Sequence, residues 1–501
     1  MKKTNFVFKI IIFLFYLIHP FTYPPIHLLT ILSNIYASPA NASQYDPIKL
    51  RDLLNKSLLD QAVKNAKVGI KIKSLRTGKV LYEHNADRLF NPASNMKLLT
   101  TAAALFYLKP EYTFKTEVYQ EGSLKNGLLN GNLYLKGNGD PSLVYEELWD
   151  IAQLVANKGI SVINGDIVGD DNFFDKKNTC TGWKDIDGEK WYNPRLSALS
   201  LNFNTISVYI KPGIEIGDPL QIKLNPPTDF IKINNITKTK QTKNKKLTVK
   251  RLFSNNENNI VLRGYMPLGQ DEIRYIRNIE SPPMYTLTVF KELLKNCGVN
   301  IKGEIRICPV PPSALEIVTH ESRYLSVIIK YMNKISNNFI AEQILKTLGA
   351  ELYNPPGNTS NGLRSINNFL EKELKEDSTR YKIVDGSGLS PENKISPDLL
   401  INVLEYICQR FEYKYEFISS LSVCGIDGTM QKRLVNTAAE RRVRAKSGRL
   451  KNVSSLSGYL TTQDNEELIF SILVNNLDKD VETVKLWQDK IILALTTTTI
   501  L

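Results

Sequence analysis

Apolar residues recur with two periods along this chain, and the places where the period changes divide it into segments. A helical period runs through LRDLLNKSLLDQAVKNAK (50–67). VGIKIKSLRTGKVLYEHNADRLFNPAS then alternates on either side of RTGK, which predicts a β-hairpin. NPASNMKLLTTAAAL (91–105) turns back to a helix, a polar turn opening into an almost wholly apolar run. From about 110 the segments shorten: YTFKTEVYQEG, GLLNGNLYLKGNGDPSL and VINGDIVGDDNFF read as strands punctuated by Gly, Asn and Asp. ISVYIKPG and NNIVLRGYMP continue this between about 205 and 265.

Helical periodicity returns near 283. MYTLTVFKELLKNCG stops at Gly298, and SVIIKYMNKISNNFIAEQILKTLGAEL holds two apolar helices interrupted at KISNN. SPDLLINVLEYICQRF opens on Ser396 with Pro397 at the first helical position. RVRAKSGRLKNVSSLSGYLTTQDNEELIFSILVNN predicts three strands, and KLWQDKIILAL a last helix. Helix–strand material at both ends with β-rich material between predicts one α/β domain split by an insertion.

At 501 residues the chain exceeds one core, and three domains are expected. The amino terminus, MKKTNFVFKIIIFLFYLI, is followed by small residues in which Ala40-Asn41-Ala42 resembles a signal-peptidase site. Lys9 and the prolines at 20, 24 and 25 break the apolar character, so a spanning helix of about 20 residues fits poorly there. Residues 1–42 are expected to be an export leader, which implies the periplasm or cell envelope.

Formal net charge is +13, with Lys2, Lys3 and Lys9 in the leader. That balance suits polyanionic surroundings, and equally a general bias of composition towards Lys and Asn. The densest basic run, TKTKQTKNKKLTVKR (237–251), carries no interleaved aromatics and no nucleic-acid motif; a solvated hairpin is expected and no nucleic-acid partner. Five cysteines form no C-x-x-C pair. Cys297 and Cys308 are close enough in sequence to bridge.

Chemistry narrows by elimination. Histidine-based serine hydrolysis needs an imidazole beside the serine, yet of four histidines His19 and His27 fall in the leader. His84 and His320 lie in charged, turn-like surroundings, and there is no G-x-S-x-G elbow or paired-histidine zinc motif. No metal or cofactor is expected. A serine can instead be activated by a neutral lysine. Ser94 and Lys97 stand three residues apart, on one face of a helix and about 5–6 Å from each other. Such a lysine needs its pKa lowered by roughly 3 units, about 4 kcal/mol, which burial beside a second cation could supply. Alone, the pair reads more readily as a capping serine with a lysine on the helix edge.

Two further motifs change the weighing. Ser336-Asn337-Asn338 interrupts two helices, and Lys446-Ser447-Gly448 ends a strand whose glycine admits a substrate along the strand edge. In this chain order, S-x-x-K, S-x-N and K-[ST]-G resemble the signature of penicillin-binding proteins and serine β-lactamases. The long interval between the first two resembles the class C low-molecular-mass penicillin-binding proteins, the S13 peptidase family of D-alanyl-D-alanine carboxypeptidase/endopeptidases. GNGDPSL (137–143), GDIVGDDNFF (165–174), LSLNFN (199–204), SNNFIAEQ (336–343), VDGSGLSPEN (384–393), GIDGTMQKR (425–433) and AKSGRLKNVSSLSGYL (445–460) extend the resemblance over about 60–475.

The resemblance implies an α/β (α+β) multi-domain fold: a serine β-lactamase/DD-transpeptidase-like catalytic domain, an antiparallel sheet flanked by helices, split by two smaller β-rich domains. The expected divisions are 43–108 catalytic, 109–204 and 205–274 inserted, and 275–501 catalytic. It implies Ser94 as nucleophile, Lys97 as its base and Ser336 as proton relay. Asn338, Lys446, Ser447 and Gly448 would bind substrate, and the partners would be peptidoglycan stem peptides and β-lactams, with peripheral membrane contact compatible. Arg449 stands where relatives usually carry a small hydroxyl residue, and a clamp on the substrate carboxylate is one reading of it. The alternatives are a serine β-lactamase, disfavoured by the insertion, and a catalytically silent peptidoglycan-binding scaffold.

Overall fold

The computed structural model describes residues 47–180, 182–183 and 188–500. The leader expected at 1–42 lies outside the described residues.

Six antiparallel strands form the central sheet: β1 (Lys67–Ser74), β2 (Val80–His84), β3 (Ser422–Val423), β4 (Val443–Leu450), β5 (Val453–Thr461) and β6 (Glu467–Asn475). Their order is β3-β4-β5-β6-β1-β2. The period-two pattern places Val68, Ile70 and Ile72 of β1 in the core. β5 and β6 are buried on both faces, as strands covered by helices on each side must be. β1 and β2 are joined by the expected turn, with Gly78 at φ 70°.

An apolar helical layer packs on the sheet. Helix α1 (Met96–Leu108) is buried at every position from Met96 to Leu105, matching its sequence of Leu, Thr and Ala without a polar face. Around it lie α2 (Leu325–Ile335), α3 (Asn338–Tyr353), α4 (Thr359–Glu373) and α5 (Pro397–Cys408). The Ser396 hydroxyl caps α5 by accepting from the Leu399 N–H at 3.0 Å, and Pro397 holds the first helical position. The carboxy-terminal helix α6 (Val481–Thr497) packs against β5. Among the described residues no helix is long and apolar enough to cross a membrane.

The insertion leaves after α1 and returns before α2. Its neck is the antiparallel pairing of Lys115–Gln120 with Leu315–Glu321. A five-stranded sheet (Ile305–Ile307, Ile167–Asp170, Leu133–Gly137, Lys115–Gln120, Leu315–Glu321) and a four-stranded one build its first part. Nested within are two three-stranded sheets spanning 205–278.

Three differences from the sequence reading follow from pairings that local pattern does not reveal. Tyr145–Asn157 is a helix within the stretch read as strands; Leu148, Ile151, Ala152 and Val155 form its buried stripe. The helix Pro282–Asn296 and the strands through Glu321, assigned to the second catalytic segment from 275, pair with the inserted sheets: Asn300–Ile301 joins Val162–Ile163 and Ile305–Ile307 joins Ile167–Gly169, both in parallel. All five cysteines are free thiols, so Cys297 and Cys308 form no bridge.

Candidate active site

Ser94 sits in a single helical turn, Ala93–Asn95, leading into α1. The turn is held under tension: Ala93 adopts φ 45°, which costs an L-residue about 1 kcal/mol or more. Two side chains hold it there. The Ala93 N–H donates to Asn91 Oδ1 at 2.8 Å, and the Asn91 N–H donates to Asn475 Oδ1 of β6 at 2.7 Å. Asn95 meets Ser455 and Ser457 of β5 from the other side of the turn. The serine is thus fixed to the sheet rather than to a free helix end.

Lys97 lies one turn further on and is completely buried. Its Nζ is 3.3 Å from Ser94 Oγ and donates to Asn338 Oδ1 at 2.7 Å and the Ser387 carbonyl oxygen at 2.6 Å. Burial, partly opposed by the negative charges of Asp385 and Glu342, pushes its pKa down to about 7. Near neutral pH a large share of the amine is therefore unprotonated, and the Ser94 hydroxyl lies within reach of its lone pair.

Ser336 ends α2 in the left-handed conformation, φ 60° and ψ 44°. The chain reverses there and α3 begins at Asn338, its first turn capped by the Asn337 side chain accepting from the Ile340 N–H at 3.1 Å. This elbow delivers two polar side chains from adjacent helices into one groove. Asn338 reaches Lys97 and donates from Nδ2 to the Tyr192 carbonyl at 2.9 Å. Ser336 accepts from Lys446 Nζ at 3.0 Å.

Lys446 is also fully buried, on β4, and donates to the Ser447 carbonyl at 2.9 Å. Burial first, and then the Lys97 charge, push its pKa well below that of an ordinary lysine. An arriving carboxylate would restore its charge. The Ser447 hydroxyl donates to Thr429 Oγ1 at 2.7 Å. Gly448 is where β4 and the Ser94 turn touch. A Cβ there would lie 2.8 Å from the Ser94 backbone nitrogen and 2.2 Å from Ser455 Oγ. Arg449 turns outward, its Nη1 3.0 Å from Glu482 Oε1, with both side chains more than half exposed.

These residues line one groove of about 880 Å³, which holds Ser94, Ser336, Asn338, Ser447, Gly448 and Arg449, with Trp191 and Tyr192 on its far wall. Lys97 and Lys446 lie beneath its floor. The structure brings every sequence-expected residue to this groove or directly under it, except that the Arg449 guanidinium is occupied by Glu482. His84 and His320 do not line it.

Motif reading missed the carboxylates below. Glu342, one turn after Asn338 on α3, accepts the Ser387 N–H at 2.8 Å and the Gly386 N–H at 3.2 Å. Asp385 accepts the N–H groups of Gly388 and Ser390, both at 2.7 Å, and Trp183 Nε1 at 2.9 Å. Together they hold the loop whose Ser387 carbonyl binds Lys97. Glu342 and Asp385 lie in SNNFIAEQ and VDGSGLSPEN, and the four-residue step from Asn338 to Glu342 is the sequence signal that points to the first of them.

The D-Ala-D-Ala carboxypeptidase 3 (S13) family model matches residues 50–495. A D-alanyl-D-alanine carboxypeptidase of Actinomadura sp. (strain R39) is 32% identical over 458 residues, covering 88% of this chain and 84% of the relative. Among solved structures, penicillin binding protein 4 (dacB) from Haemophilus influenzae superposes with a TM-score of 0.78 at 22% identity, covering 88% of this chain and 99% of that one. The same protein complexed with a novel β-lactam gives 0.71 at 23% identity, over 87% and 97%.

Proposed function

This chain belongs to the D-Ala-D-Ala carboxypeptidase 3 (S13) family, and from that membership and the geometry of the groove we propose that Ser94 is the nucleophile of its reaction. The protein is a penicillin-binding serine D-Ala-D-Ala carboxypeptidase with an α+β multi-domain fold. The observation that carries the assignment is the buried Lys97, its amine 3.3 Å from Ser94 Oγ and its pKa about 7.

The steps follow from the positions. Neutral Lys97 takes the Ser94 proton as Oγ attacks the carbonyl between the last two D-alanines. The backbone N–H groups of Ser94 and Arg449 receive the oxyanion, each worth about 3 kcal/mol in the transition state. Ser336, held by Lys446, relays to the leaving amine the proton that Lys97 took, so the acyl-enzyme forms as the peptide bond breaks and Lys97 is neutral again. Lys446 and Ser447 hold the terminal carboxylate; Asn338 orients both Lys97 and the substrate amide. Water, deprotonated by the same base, then releases the shortened peptide. An endopeptidase turnover is the same chemistry with the leaving amine on a cross-linked neighbour. The family's cell-wall substrate supports a reading in which this work is done in the envelope, to which an amino-terminal leader would deliver the chain.

The test is a fluorescent penicillin. Wild type should be labelled covalently and Ser94→Ala should not. Mass spectrometry of purified muropeptides after incubation reports loss of terminal D-alanine and cleavage of cross-links in one experiment. Labelling that persists in Ser94→Ala would move the nucleophile elsewhere.

A further inference from the structure

The basic run 237–251 becomes strand in the nested part of the insertion, and its side chains are sorted by face. The sheet is Ile231–Lys240, Glu257–Pro267 and Lys246–Ser254, with the second of these in the middle. Pairing fixes which residues lie side by side. Lys238, Tyr265 and Lys246 form one row; Ile236, Arg263 and Thr248 the next; then Asn234, Val261 and Lys250, and then Lys232, Asn259 and Leu252. The other face carries Ile260, Leu262, Met266 and Val249, all buried. Alternation therefore sends the lysines to the open side.

That open side holds Lys232, Lys238, Lys240, Lys246, Lys250 and Arg263, all exposed. Its one carboxylate in these strands is Glu257, at the far end beside the Asn255-Asn256 turn. The connection 241–245 adds exposed Lys243 and Lys245 at the near end. Lys240 Nζ lies over the Tyr265 ring, 4.5 Å from its centre. Lys238 and Lys240 lie about 7 Å apart along one strand, and Lys238 and Lys246 about 10 Å apart on either side of Tyr265; like charges at these spacings repel each other and destabilise the bare sheet. A solvated hairpin with no partner would gain from interspersed acids, as the rest of this chain has them.

We propose that this face binds a linear phosphodiester polymer of the cell envelope, holding the enzyme beside its substrate while the groove does the chemistry. Charge complementarity supplies the affinity, with Asn234, Thr248 and Asn259 as hydrogen-bonding partners between the cations. The ribbon is three strands wide and ten residues long, and it twists, so it tracks a flexible chain better than a flat bilayer. A single aromatic, covered by Lys240, provides no run of stacking platforms such as single-stranded nucleic acid uses.

The test measures binding of full-length protein to poly(glycerol phosphate) by titration calorimetry over about 50–200 mM salt. The triple variant Lys238→Gln/Lys240→Gln/Lys246→Gln should bind at least tenfold more weakly, with a log–log salt slope shallower by about 2. A control triple at exposed sites elsewhere, Lys125→Gln/Lys158→Gln/Lys372→Gln, should stay within twofold of wild type. Penicillin acylation should be unchanged in both, which certifies the fold. Equal weakening by the control triple would reduce the effect to net charge and overturn the proposal. So would wild-type protein that ignores the polymer, or that binds phosphatidylglycerol vesicles or oligo-dT more tightly than it.

Discussion

Lys97 and Glu342 meet across one residue: Lys97 donates to the Ser387 carbonyl at 2.6 Å, and the Ser387 N–H donates to Glu342 at 2.8 Å. The proposed base and a buried carboxylate are thus joined by a fixed piece of backbone. Glu342, its own pKa pushed up to about 7 by burial and by Asp385, sets part of the field in which the amine titrates.

The first expectation concerns pH. Lys97 serves as base only when neutral, so acylation should rise about tenfold per pH unit below about 7 and level off above it. Second-order rates of penicillin acylation from pH 5.5 to 9 measure this. A flat profile would remove Lys97 from the role of base.

Glu342→Gln tests the joined pair. The amide oxygen can still accept from the Ser387 N–H, which holds the loop at its shorter contact, although the amide NH2 then faces the Gly386 N–H; loss of a negative charge that raises the Lys97 pKa should move the acylation midpoint to lower pH. The plateau rate should remain within about tenfold of wild type. An unmoved midpoint would leave Glu342 with packing alone.

Stability should show the same lysine from another side. Its pKa falls from 10.5 to about 7 on folding, so between those values the folded protein binds fewer protons than the unfolded chain. Stability conferred at this position therefore rises with pH across that window, by about 5 kcal/mol in all, and the penalty is fully present below about pH 7. Lys97→Met removes the titration and the activity. Its melting temperature relative to wild type should be highest near pH 6 to 7 and decline towards pH 9; a constant difference contradicts the burial argument.

Much of this was legible in short motifs because each joins a residue type to a chain geometry: a serine and lysine one turn apart, a polar break between helices, a glycine on a strand edge. Glu342 and Asp385 were not, since an isolated acid in a sequence looks like any solvated charge until its neighbours are known. The segment 282–321 was misassigned for a related reason. The parallel partners of its strands Asn300–Ile301 and Ile305–Ile307 lie more than a hundred residues earlier, and periodicity carries no information about pairing at that distance.

Gly448→Ala should silence the site while leaving the fold. The added methyl would lie 2.8 Å from the Ser94 nitrogen and 3.0 Å from Ala93 Cβ, pushing the nucleophile turn away from β4. A loss of penicillin acylation of at least about a hundredfold is expected, corresponding to one misplaced oxyanion donor. Circular dichroism should remain that of wild type; retained labelling would mean that the two backbones separate freely.

Arg449→Ser addresses a departure from the family pattern, the arginine that follows Lys446-Ser447-Gly448. Because the guanidinium is held by Glu482 on an exposed rim, KM for carboxylate-ended peptides should change less than twofold and stability by less than about 1 kcal/mol. A tenfold rise in KM would place Arg449 on the substrate carboxylate instead.

The sheet order carries a consequence for how the molecule comes into being. β1 pairs with β6, Lys67 opposite Asn475 and Ser74 opposite Leu468, so the earliest strand of the central sheet borders one of the last. On a ribosome, the strands between Lys115 and Glu321 have all their partners before β6 has been translated, and the insertion can close first. Ser94 and Lys97 are therefore made early but remain unassembled until the final tenth of the chain arrives. The nascent protein carries its proposed nucleophile long before the groove around it exists.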